Sequence, residues 1–117
     1  MAIRRCLVEL GTGVDLEGKD PTKAARRAVA DALRHGIPDF PTAFGHDLRL
    51  IYVEVNVAVP HCEDVRPGEV LLEAPYGRRS INVVEGGMEA PALEEGGDPV
   101  LVANAAVVVS LYVPEEG

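Results

Sequence analysis

Apolar and polar residues alternate along several stretches of this chain and recur at helical spacing along one. Ile3 to Leu10 alternates weakly, with Cys6, Val8 and Leu10 on one face and Arg5, Leu7 and Glu9 on the other. That pattern predicts a half-buried strand. The glycines and aspartates of GTGVDLEGKD, residues 11–20, are loop chemistry and are expected to end it. Helical spacing follows. Asp20 suits an N-cap and Pro21 the first helical position. Ala24, Ala25, Ala28, Val29, Ala32 and Leu33 then form one stripe, with Arg26, Arg27, Asp31 and Arg34 on the other side and Gly36 as a left-handed stop. Arg27 and Asp31 are spaced for an i,i+4 pair. A stripe made mainly of alanine predicts a helix lying unusually close to the surface it covers.

After the Pro-rich connection IPDFPTAFGHD, Leu48 to Val59 alternates over the longest run. Ile51, Val53, Val55, Val57 and Val59 share one face, and Leu50, Tyr52, Glu54, Asn56 and Ala58 the other. Residues 61–77 are ambiguous between a short helix after Pro67 and a brief strand, with the helix favoured. Ser80 to Val84 reads as a strand with Ile81 and Val83 inward. A loop of glycines and acids leads to a last strand from about Val102 to Val113. The order is β-α-β-(α)-β-β. It predicts one α+β domain over residues 1–117, a four-stranded, mostly antiparallel sheet with one or two helices on one face.

The second face of that sheet is expected to carry Leu7, Glu9, Tyr52, Glu54, Asn56, Asn82, Val84, Val108, Ser110 and Tyr112. A solvent-facing sheet in so charged a protein should show more Lys, Glu and Thr. The expectation is a homo-oligomer, with a trimer as its state, packed through these faces.

Composition narrows the partners. The formal net charge is −8 at pH 7, so nucleic acid is not an expected partner, because phosphate binding needs clustered Lys and Arg. Aromatic residues make up 4% and Trp is absent, leaving few anchors for a flat ring. No apolar run reaches membrane-spanning length, so no membrane is expected. Cys6 and Cys62 form neither a CxxC pair nor a disulfide framework, which fits a reducing, cytoplasmic setting.

Four groups could carry chemistry. VVEGGMEAP, residues 83–91, places Glu85 before the amides of Gly86 and Gly87, so the carboxylate could act as a base or hold a substrate amine. The plain alternative is a tight turn that needs glycine. Lys23, beside Thr22, stands at the positive end of a helix, where it could act as a base or anchor an anion; it lies opposite the alanine stripe, however, and a solvated lysine is the favoured alternative. In PHCED, residues 60–64, His61 suits a general acid or base. Adjacent potential ligands rarely hold one ion and a zinc site would show spaced pairs, so no metal is assigned. A metal-dependent enzyme using His46 and His61 is a lesser option. Finally, Glu9 and Glu54, with Asn56 and Asn82, would need partners if the second sheet face were covered, as structural networks or as a site. P-loop, GxGxxG, GxSxG and HExxH motifs are absent, and no cofactor is expected. Residue 2 is Ala, not the N-terminal proline of tautomerases of similar size.

Taken together, ELGTGVDLEGKDPTKAARRAVADAL, VEVNVAVPHCEDV and APYGRRSINVVEGGMEAP resemble the Lin hypothetical family, conserved bacterial and archaeal proteins of about this length. The resemblance spans nearly the whole chain and implies no particular activity. VVEGGMEAP is also similar to a loop of the ring-opening cyclic amide hydrolases, of the cyanuric acid hydrolase and barbiturase type. In those enzymes three similar domains form a prism around Ser–Lys pairs. Here the serine position is Glu85, so the likeness implies a prism-like trimer without a serine nucleophile.

The expected function is a homo-oligomer with a small-molecule site at its subunit interfaces. Acid–base or hydrolytic chemistry on a small amide-like or cyclic compound would use Lys23, Glu85 and His61. Thr22, Gly86, Gly87, Glu54 and Asn56 would bind the substrate. The alternative is a non-catalytic binding or regulatory subunit acting with a partner protein.

Overall fold

The computed structural model describes residues 2–17, 19–35, 51–92 and 94–113. Strand β1 (Ala2–Asp15) leads to helix α1 (Pro21–His35), then to strand β2 (Ile51–Val59). A 3-10 turn (Cys62–Asp64) and helix α2 (Pro67–Leu71) precede β3 (Arg78–Glu85), β4 (Met88–Ala90) and β5 (Val100–Val113). The fold is α+β. The sheet has five strands rather than four, in the order β1-β5-β2-β3, with β4 paired to β5 beyond the end of β2. The added strand is three residues long, too short for its alternation to show in the sequence.

β5 is antiparallel to β1, β2 and β4, whereas β2 and β3 run parallel. A parallel pair needs a crossover rather than a hairpin. Residues 60–77 supply it, and α2 with Pro67 in its first turn is the helix favoured for that stretch.

Strand β1 runs through Gly11, Thr12, Gly13 and Val14 to Asp15, where the glycines were expected to end it. Their purpose is close approach. A Cβ on Gly11 would overlap the backbone of Ala28 and Ala32, and one on Gly13 the backbone of Ala24 and Ala28. The alanine stripe of α1, fully buried at Ala24, Ala25, Ala28 and Ala32, therefore lies directly on two bare backbone positions. The closeness expected of the helix is present, and glycines on the strand complete it.

The same packing reverses the faces assigned to β1. Leu7 and Glu9 pair in register with Val109 and Val107, which are buried on the helix side. Val8 and Leu10 pair with Val108 and Ala106 and point to the other face. Apolarity misled here because, beyond Leu7, the true inward positions are a glutamate and two glycines. Glu9 and Glu54 thus lie on opposite faces, whereas Tyr52, Glu54, Asn56, Asn82, Val84, Val108 and Ser110 share the outer face as expected.

The core joins Val29 and the alanines of α1 to Ile51, Val53, Val55, Val57 and Val59 of β2, to Val70 of α2, and to Leu101, Val107 and Val109 of β5. Asp20 caps α1, its Oδ1 accepting from the amides of Thr22 (3.0 Å) and Lys23 (3.3 Å). The Arg27–Asp31 pair does not form. Arg27 donates to the Val14 carbonyl, and Asp31 takes the Thr12 amide and pairs with Arg34. Both bonds fasten the helix to β1, a use that helical spacing alone does not reveal. Leu48, Leu50, Gly36 and His46 lie outside the described residues.

Candidate functional site at the ends of the parallel strands

Because β2 and β3 are parallel and in register at Val59 and Glu85, the turns that follow them start side by side. After buried Pro60 the chain turns sharply at His61, whose φ of 58° makes it the one non-glycine with positive φ among the described residues. Histidine is among the residues tolerated there, at a cost on the order of 1 kcal/mol. The 3-10 turn then points the amides of His61 and Cys62 at Glu85. Glu85 Oε2 accepts from the His61 amide at 3.2 Å and Oε1 from the Cys62 amide at 3.1 Å. These bonds, the one from Cys62 above all, hold the Glu85 carboxyl below its ordinary range.

The second turn is fixed by glycine. Gly87 has φ of +68°, and a Cβ there would overlap the Val102 carbonyl. A Cβ on Gly86 would lie 2.8 Å from that of Ala58. This turn brings β4 back along β5 and sets Glu89 against the imidazole. His61 Nε2 and Glu89 Oε1 are 3.4 Å apart. The hydrogen bond with Glu89 and its charge raise the His61 pKa above its ordinary value. The half-buried Cys62 thiol is likewise raised, first by loss of solvent and then by Glu85. The thiol of Cys62 and the carboxylates of Glu63 and Glu85 lie within 4.8 Å of one another.

His61 and Glu85, separated by 24 residues, therefore meet, with Gly86 and Gly87 shaping the second wall. Lys23 and Thr22 stand elsewhere. Lys23 is exposed on the first turn of α1, lining an open depression of about 410 Å³ with Asp20, Arg26, Arg66, Glu69 and Glu73. Arg26 pairs there with Glu73 at 2.8 Å, and Arg66 with Glu69 at 3.0 Å. Thr22 is buried and its Oγ1 accepts from the Arg66 amide at 3.0 Å, tying α1 to the segment that leaves the 3-10 turn. Glu54 and Asn56 belong to a third region, the outer sheet face. Asn56 donates to the Ala106 carbonyl at 3.3 Å and borders a shallow, largely apolar depression of about 250 Å³ with Leu10, Ala58, Val84, Asn104 and Ala106.

Glu89 is the member that reading by motif passed over, whereas Cys62 was considered only as one of several adjacent potential ligands. Glu89 looked like one acid in an acidic loop; only the glycine turn and the three-residue strand aim it at His61. The described helices show none long and apolar enough to cross a membrane.

A mixed sheet with helices on one face, and a polar turn cluster at the ends of its parallel strands, define an α+β protein. The chain belongs to the conserved hypothetical protein family Lin0512, whose model matches residues 5–109. No curated protein matches it. Among solved structures it is similar to an FtsZ-like protein of unknown function from Nostoc punctiforme. The two are 39% identical with a TM-score of 0.82, over 97% of this chain and 99% of that one.

Proposed function

We propose that the working unit is a homo-oligomer, a trimer in the simplest form, joined through the outer sheet face, with a small-molecule site where that face meets the His61–Glu85 turns. One observation carries the assembly. On a chain of net charge −8, Val8, Leu10 and Val84 are 56%, 66% and 45% exposed on the face that no described helix covers. Exposed apolar surface of this kind marks an interaction site. Ala58 touches both regions: it lies on the outer face and packs beneath the Gly86–Gly87 turn. A ligand there would meet an apolar wall and a polar rim.

The chemistry that fits is acid–base or hydrolytic, on a small amide-like or cyclic compound. His61, whose pKa Glu89 raises above its ordinary value, is the proton shuttle. Glu85, ionised and held by two amides, serves as a weak base and an anchor for a cationic or amine group. Lys23, exposed in the separate α1 depression, would join as an anion anchor only across a subunit boundary, and buried Thr22 serves the fold by holding the Arg66 amide. A non-catalytic subunit that docks a partner protein would use the same apolar band. Light scattering coupled to size exclusion separates these readings. A trimer mass supports the assembly, whereas a monomer at micromolar concentration ends it and leaves the partner reading.

A further inference from the structure

We propose that Cys62, Glu63 and Glu85 bind a divalent transition-metal ion, Zn²⁺ by preference, as a three-ligand site with its remaining position open. The objection from sequence was that adjacent residues rarely bind one ion together, and Cys62 and Glu63 are adjacent, so a third ligand distant in sequence is required. The fold answers it by bringing the third ligand from another strand, since Glu85 ends β3 and reaches under the 3-10 turn. Thiol and both carboxylates lie within 4.8 Å of each other. Zinc bonds of about 2.0 to 2.3 Å to oxygen and sulfur need ligands roughly 3.5 Å apart, a contraction within the rotamer freedom of two exposed glutamates.

Three features favour an ion over a chance cluster. The donor set pairs one soft sulfur with two hard oxygens, which suits a borderline cation rather than Mg²⁺ or Ca²⁺. Glu85 is already oriented by the His61 and Cys62 amides, and the Cys62 thiol, which hydrogen-bonds the same carboxylate, would free the lone pair it occupies on losing its proton. Glu63 is exposed, and its carboxylate bonds to no described residue. On binding, the Cys62 thiol loses its proton to solvent and the thiolate bonds the metal. The three side chains bring three negative charges to a 2+ ion. With three protein ligands, the open position would take water or a substrate oxygen, beside the His61–Glu89 pair. The site needs no second copy of the chain, so it does not depend on the proposed assembly, but it shares Glu85 with the proposed small-molecule site, where the ion would take the place of a cationic group.

Co²⁺ is the probe, because cobalt–thiolate bonding produces a near-ultraviolet charge-transfer band. Chelator-treated full-length protein titrated with Co²⁺ should reach saturation at one ion per chain with that band present, and Zn²⁺ should abolish it. Cys62→Ser should remove the band. Glu63→Gln, a change at an exposed side chain outside the core, should weaken binding at least tenfold with an unchanged circular dichroism spectrum. Absence of the band at saturating Co²⁺, its persistence in Cys62→Ser, or unaltered affinity in Glu63→Gln would each overturn the site.

Discussion

Gly13 faces the carbonyl of Ala24 so closely that a single methyl on the glycine would overlap it. Gly11 stands in the same relation to Ala28 and Ala32, one helical turn further on. The obstacle at both is backbone, which cannot rotate aside. Gly13→Ala should therefore cost at least the 1 to 3 kcal/mol typical of overpacking, roughly. Thermal unfolding checks this, and a Tm equal to the parent's would mean that α1 does not lie on β1 as described. Gly68, whose Cβ would meet nothing within 4 Å, is the control and should accept alanine freely.

Removing the Asp20 carboxylate tests the helix start. Asp20→Ala leaves the Thr22 and Lys23 amides without their acceptor and should cost about 1 kcal/mol. Asp20→Asn should recover most of it in denaturant titrations.

The His61–Glu89 contact makes a prediction with a sign. Glu89 favours the protonated imidazole, so the folded pKa lies above the ordinary value. The stabilisation is complete below about pH 6.5 and is lost as pH rises through the folded value. In an NMR titration of the imidazole protons, Glu89→Gln should move the His61 midpoint down. A midpoint unmoved by that change would show that the pair does not form in solution.

Glu85 has the opposite sign. Its folded pKa is lowered by the Cys62 and His61 amides, so its contribution is present above the ordinary carboxylate value and lost as pH falls through the lowered one. Glu85→Gln should flatten the acid limb of the stability curve, and hydrogen exchange at the two amides should quicken.

On the outer face, Leu10→Asp should dissociate the assembly. The parent should elute as an oligomer and the variant as a smaller species with an unchanged far-ultraviolet spectrum. Equal masses for the two would remove Leu10 from any interface.

What the sequence made legible was whatever depends on local spacing. Asp20 and Pro21 mark the helix start, and valines at every second position mark β2 and β5. Local spacing could not show that Gly11 and Gly13 continue β1, because a glycine reads as a break unless its neighbour in space is known. Nor could it show that Arg27 answers Val14 rather than Asp31. Of the candidate residues, His61 and Glu85 could be named but not joined, since their meeting depends on a parallel pairing that strand patterns do not encode. Glu89 was hidden among acids of the same kind.

The bonds from the His61 and Cys62 amides to Glu85 bind two turns into one inherited unit. Lengthening the turn after β2 by one residue would carry both amides off the carboxylate. Shifting the register of β3 by one residue would turn Glu85 to the opposite face of the sheet. A one-residue insertion in either segment would thus undo the unit. A designer grafting this site elsewhere would have to carry both strands with it.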